Sequence, residues 1–129
     1  MYIGKTYREV QRIGGVVVKL YSGTVTANGD SKTAYTWIPP FISRANFFFN
    51  VTAVSGTSPT LDARVLTMHA RVPEHTAVWY YLQAFTQKTT TGKEKKSIAV
   101  GTGDKLAVAW NVGGTSPSFT FDVYAELKL

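Results

Sequence analysis

The chain has no cysteine, so neither disulfides nor thiolate-ligated metals can hold it together. It has two histidines, His69 and His75, and eight acidic residues. That is a poor stock for a metal centre, which needs three or four convergent ligands, or for the carboxylate pair of glycoside chemistry. Apolar runs are a few residues long, far short of the roughly 20 that a membrane-spanning helix needs. The opening "MYIGKTYREVQRIGG" is polar and carries no apolar core of a signal peptide. With Met1, it reads as the start of a complete cytoplasmic product. Helical periodicity is missing too. The nearest approach is residues 5–13, "KTYREVQRI", where Tyr7, Val10 and Ile13 share a helical face before Gly14-Gly15 ends it. No nucleophile elbow, zinc spacing, helix-turn-helix or RRM-type box is present. The expectation is a protein with no catalytic, cofactor or metal site, no membrane segment and no specific nucleic-acid partner.

What is present is β patterning. "GVVVKLYSGTV", "TAYTWI", "RANFFFNVTAV", "TLDARVLTMHARV", "AVWYYLQAFTQ", "KSIAVG", "DKLAVAWNV" and "SFTFDVYAELKL" read as strands separated by turn residues. In the last, Phe119, Phe121, Val123, Ala125, Leu127 and Leu129 alternate with polar residues and Tyr124, the mark of an antiparallel strand with one covered face. Leu66 and Met68 shift the apolar phase by one, which argues for a bulge or a change of neighbour. "KTTTGKEKK" reads as a polar hairpin tip around Gly92. The fold expected is a single-domain, all-β antiparallel β-sandwich of jelly-roll type with about eight or nine strands. It would occupy residues 16–129, preceded by an N-terminal arm, residues 1–15.

Fourteen Lys and Arg against eight Asp and Glu leave a net charge of +6, which favours acidic partners. Lys5, Arg8, Arg12 and Lys19 concentrate it at the N-terminus, and Lys88, Lys93, Lys95 and Lys96 concentrate it near the middle. The aromatic stock is three Trp, seven Tyr and seven Phe, more than one core of this size needs. "NFFFN" and "WYYL" put rings on both faces of a strand. Phe48, Trp79, Tyr80 and Tyr81 are therefore the candidate interface residues. Lys5, Tyr7, Arg8, Val10 and Arg12 are the candidate contacts of the arm.

One stretch occurs twice. "SGTSPTLDARV" begins at residue 55 and "GGTSPSFTFDV" begins 58 positions later. Each copy follows an apolar strand and leads into another. Gly56 and Gly114 permit positive φ, and Pro59 and Pro117 fix φ without donating to a ladder. The reading is two equivalent hairpin turns in related places. A phosphate cradle would need a helix start after the turn, and both copies run into strands.

From "VTAVSGTSPTLDARV" through "VWYYLQAFTQKTTTG" to "LAVAWNVGGTSPSFTFDVYAEL", about residues 45–126, the chain resembles small structural proteins of tailed bacteriophages. The resemblance implies a virion component without enzymatic activity. The leading expectation is a capsid decoration protein, made in the host cytoplasm and carried on the phage head. Its partner would be the major capsid protein, and it would form a homo-oligomer, with a trimer suited to local three-fold points. The alternatives are a tail, neck or fibre-base component, or a carbohydrate-binding module for host attachment using Trp37, Trp79 or Tyr80.

Overall fold

A computed structural model describes residues 15–39, 42–70, 78–99 and 103–128. Seven strands order the described residues: β1 (Val16–Val25), β2 (Gly29–Asp30), β3 (Thr36–Trp37), β4 (Arg44–Met68), β5 (Trp79–Ala84), β6 (Gly92–Ile98) and β7 (Lys105–Lys128). A single 3₁₀ turn, Lys32–Ala34, separates β2 from β3. All pairings are antiparallel within one sheet. The arm contacts Lys5, Tyr7, Arg8, Val10 and Arg12 lie outside the described residues, as do His75 and Leu129.

The two long strands form the axis of the molecule. β4 and β7 run side by side from Arg44↔Lys128 to Met68↔Lys105. The first half of β4 and the second half of β7 are flanked by β6 and β1. The other two halves are flanked by β5 on one side and by β2 and β3 on the other. The sheet thus consists of a first half, β1–β7–β4–β6, and a second half, β2/β3–β7–β4–β5. It curls into a half-barrel whose halves face each other like the layers of a sandwich.

The repeated motif makes the curl. The two Gly-Thr-Ser-Pro stretches do not close hairpins; they lie opposite one another within β4 and β7, with Thr57 paired to Thr115. Gly56 and Gly114 have φ of 110° and 105°, and Ser58 and Ser116 both have φ of 48°. Left-handed residues break the ladder and bend the strand while the pairing resumes beyond. The pairing is symmetric about this point: Leu61↔Val112 is matched by Val54↔Phe119, and Thr60↔Gly113 by Ser55↔Ser118. The 58-residue offset converts each pair into the other. A local two-fold axis therefore runs through the Thr57–Thr115 pair, and the same sequence serves both sides because both sides have the same geometry. The symmetry ends at a bulge, where Thr52 is skipped between Val51↔Phe121 and Ala53↔Thr120.

Side chains of both halves fill one continuous core. Phe47, Phe49, Val51, Phe119, Phe121, Val123 and Leu127 come from the first half; Leu61, Ala63, Val65, Leu106, Val108 and Trp110 come from the second. Trp110 and Phe121 are on the same strand, on opposite sides of the bend. Their rings nevertheless meet edge to face at 5.8 Å. Tyr21 of β1 packs on both, at 4.4 and 5.1 Å, and burial raises its hydroxyl pKa. Phe85, beyond β5, stacks on Phe49 at 4.7 Å.

The alternation expected over Phe119–Leu127 is present; at the apolar phase shift the extra residue is on the partner strand, where β5 skips Leu82 opposite Val65 and Leu66, while β4 keeps its register with β7 from Leu61 to Met68. Each long strand reads as two in the sequence, because glycine, serine and proline also terminate strands. The seven strands thus make nine straight segments. Two other expectations change. "TAYTWI", residues 33–38, opens with the end of the 3₁₀ turn, Thr33 and Ala34, and only Thr36–Trp37 is strand. The hairpin tip is shorter than "KTTTGKEKK", because Gly92 through Lys96 already belong to β6.

Candidate functional site

The outward face of the first half-sheet carries a row that crosses all four strands. Lys19 of β1 pairs with Tyr124 of β7, Tyr124 with Phe48 of β4, and Phe48 with Lys95 of β6. Phe48 and Tyr124 are each 38% exposed, and Val17 nearby on β1 is 62% exposed. Two aromatic side chains therefore sit side by side at the centre of the face with a lysine at each edge. The neighbouring row is polar and internally bonded: Ser97 Oγ donates to Asn46 at 2.6 Å, and Asn46 Nδ2 donates to Glu126 at 2.8 Å. Arg44, Lys95 and Lys128 line a groove of about 460 Å³ at that end of the face.

β6 is held to the rest by a carboxylate on the inner face. Glu94 pairs across from Phe49. It accepts from Lys88 Nζ at 2.6 Å and from the Thr86 amide at 3.0 Å and hydroxyl at 3.1 Å. Burial pushes its pKa up, but those hydrogen bonds and the Lys88 charge outweigh burial and hold it below the ordinary glutamate value. Lys88 Nζ also lies 5.5 Å from the Phe49 ring centroid. This clamp fastens the connection between β5 and β6 across the open end of the half-barrel.

The outward face of the second half-sheet is different. It has a hollow over central β7, at Ala109, between Arg64 of β4 and Asp30 of β2. Arg64 pairs with Ala84 on one side and Ala109 on the other, and Ala109 pairs with Asp30. Above Ala109, Leu66 and Gly29 opens a groove of about 380 Å³, bordered by Trp79 and Tyr81 of β5 and by Asn28, Asp30 and Asn111 on the far side. Tyr81 is 73% exposed. The Arg64 guanidinium covers one of its faces at 4.7 Å, while Arg64 Nη1 donates to Asn111 Oδ1 at 3.4 Å. Arg64 Nε is buried with no hydrogen-bond partner among the described residues.

The four candidate interface aromatics therefore separate. Phe48 belongs to the first face. Trp79 and Tyr81 border the groove of the second. Tyr80 points the other way, with its ring 6.2 Å from that of His69. Trp37, a candidate sugar platform, is half-buried and meets Tyr35 edge to face at 5.5 Å. Lys105 Nζ sits over both rings, at 4.4 and 4.2 Å. Gly56, Pro59, Gly114 and Pro117 are gathered at the bend, where a Cβ on Gly56 would lie 2.7 Å from the Ser116 carbonyl oxygen. Among the described residues no group of three His, Asp or Glu side chains gathers as metal ligands.

Sequence reasoning placed Tyr124 outward but did not join it to Phe48 and the lysines. The uniformly charged sequence Lys93–Lys96 carried no signal of the alternately exposed and covered strand that the structure shows there. Asn28, Asp30, Arg64 and Asn111 were missed, because only long-range pairing brings them together. No protein-family model matches the chain, and no curated protein matches it significantly.

Proposed function

We propose that this is a bacteriophage virion structural protein, a capsid decoration protein that docks on the assembled head and stabilises it. The observation that carries the reading is the row Lys19–Tyr124–Phe48–Lys95. Central rings with a cationic rim match the anatomy of a protein–protein contact, in which apolar side chains are desolvated at the middle and charges steer approach at the edge. The acidic surface it faces would belong to the major capsid protein. Its action is passive. Each contact is modest, and repetition over a lattice makes attachment strong through multivalency, most of all if the protein is a symmetric trimer. The resemblance over about residues 45–126 supports a virion role, and the basic arm of residues 1–15 would add a second contact with a neighbour.

The test is to mix the purified chain with empty heads of the phage that carries it and to measure copy number after sedimentation. High-copy binding is expected. Phe48→Ser with Tyr124→Ser should cut occupancy at sub-saturating protein by about tenfold or more, with the folded state intact. Low-copy binding confined to the tail or neck would replace this reading with that of a tail component. Full occupancy by the double variant would reject the row as the contact.

A further inference from the structure

We propose that the groove on the outward face of the second half-sheet is a saccharide-binding site, taking a pyranose that stacks on Tyr81. This goes beyond the assembly reading and uses neither Phe48 nor Tyr124.

A sugar ring presents two kinds of surface. Its C–H face is apolar and lies flat on an aromatic ring. Its edge carries hydroxyls that donate and accept at once, and planar side chains able to bond at two atoms suit them. The groove supplies both. Arg64 backs one face of Tyr81 at 4.7 Å, which holds the ring in place. Tyr81 as a residue is 73% exposed, and Arg64, lying between it and Asn111, leaves the solvent-side face and edge of the ring open to a ligand at the mouth of the groove. Trp79, two residues earlier on the same side of β5, extends the aromatic border.

The polar border is oriented in advance. Asn28 Oδ1 accepts from the Val112 amide at 2.7 Å, which fixes its carboxamide and leaves the Nδ2 protons to donate. Asp30 Oδ1 accepts from the Lys32 amide at 3.0 Å, so Oδ2 remains an acceptor. Asn111 Oδ1 is held by Arg64 at 3.4 Å, and its Nδ2 likewise remains a donor. Each group is anchored at one atom and offers another, the condition for a site that binds without first reorganising.

Size and charge narrow the ligand. About 380 Å³ lies at the small end of the roughly 300–1,000 Å³ common for small-molecule clefts. It suits a short saccharide rather than a long polymer lying in a channel. Arg64 and Lys32 against Asp30 leave a single net positive charge, and the Asp30 carboxylate at the border disfavours a densely sulfated or phosphorylated ligand, so a neutral or singly acidic sugar fits best.

Affinity gel electrophoresis of the full chain tests the site, with soluble starch, a galactomannan and a smooth lipopolysaccharide each cast in the gel. Retardation is expected in at least one. In that gel Tyr81→Ala should weaken binding by about tenfold or more, and Tyr81→Phe should keep it within about threefold, because stacking needs the ring and not the hydroxyl. Asp30→Ala, at the opposite border, should also weaken it. Phe48→Ser, on the other face, should leave it unchanged. Free migration in all three gels would overturn the proposal. So would retardation that survives both Tyr81→Ala and Asp30→Ala, or that is lost only with Phe48→Ser. Head binding is read separately, so loss of either activity leaves the other measurable.

Discussion

The two halves of the sheet share the same bend and the same core, yet their outward faces differ. In the first half, β1 and β6 flank the long strands over most of their length, and the outward polar side chains satisfy one another, as in Ser97–Asn46–Glu126 and the 2.8 Å bond between the Thr24 and Thr120 hydroxyls. The result is a filled surface with an aromatic centre. In the second half, β2, β3 and β5 are short, and on central β7 the small Ala109 stands between Arg64 and Asp30. The result is a hollow with a polar and aromatic rim. One backbone device can thus present two chemistries, because flanking strand length and the size of outward side chains are free to vary while the inward pattern is not.

The largest effect should come from the residue that joins the halves. Phe121 touches Tyr21, Phe49 and Trp110, and Phe121→Ala should cost about 3–5 kcal/mol in denaturant unfolding. Both halves should melt in one transition; two separate transitions would break the picture of a shared core. Next are the bend glycines. Gly56→Ala and Gly114→Ala each place a Cβ within 2.7 and 2.6 Å of a carbonyl oxygen across the bend, at positive φ. Each should cost about 2–3 kcal/mol. The two losses should agree closely, and a clear inequality would argue against the local two-fold.

The Glu94 clamp sharpens the comparison through pH. Its folded-state pKa is lowered, so its contribution is complete above the unfolded value, about 4.3, and is lost as pH falls through the folded one. Glu94→Gln should be less stable than the parent at neutral pH and should show a shallower decline over that acid window. Parallel stability–pH curves would reject the clamp. The smallest effect belongs to the filled face: Ser97→Ala removes one exposed hydrogen bond to Asn46 and should cost about 0.5 kcal/mol in thermal or denaturant unfolding.

Much of this fold was legible in the sequence, and the failures have physical causes. Period-two alternation over Phe119–Leu127 and Phe47–Val51 revealed the strands and their buried sides, because burial on one face imposes that period directly. The bend was read as two hairpins, because positive φ and a missing amide proton suit a tight turn and a bulged strand alike; only the facing partner distinguishes them. Lys93–Lys96 read as a loop, since charge masks a strand whose outer side is wet and whose edge is free. The aromatic surplus was legible as composition. Its division between two faces was not, because that depends on the skipped Leu82 in β5 and on pairings across most of the chain.

Hydroxyl-radical footprinting of the protein, free and then bound to heads, tests the central claim most directly, since it reads side-chain exposure residue by residue. The account predicts that oxidation of Phe48 and Tyr124 falls sharply on binding while that of Tyr81 stays as in the free protein. Unchanged oxidation of Phe48 and Tyr124 on occupied heads, or protection confined to Tyr81, would contradict it.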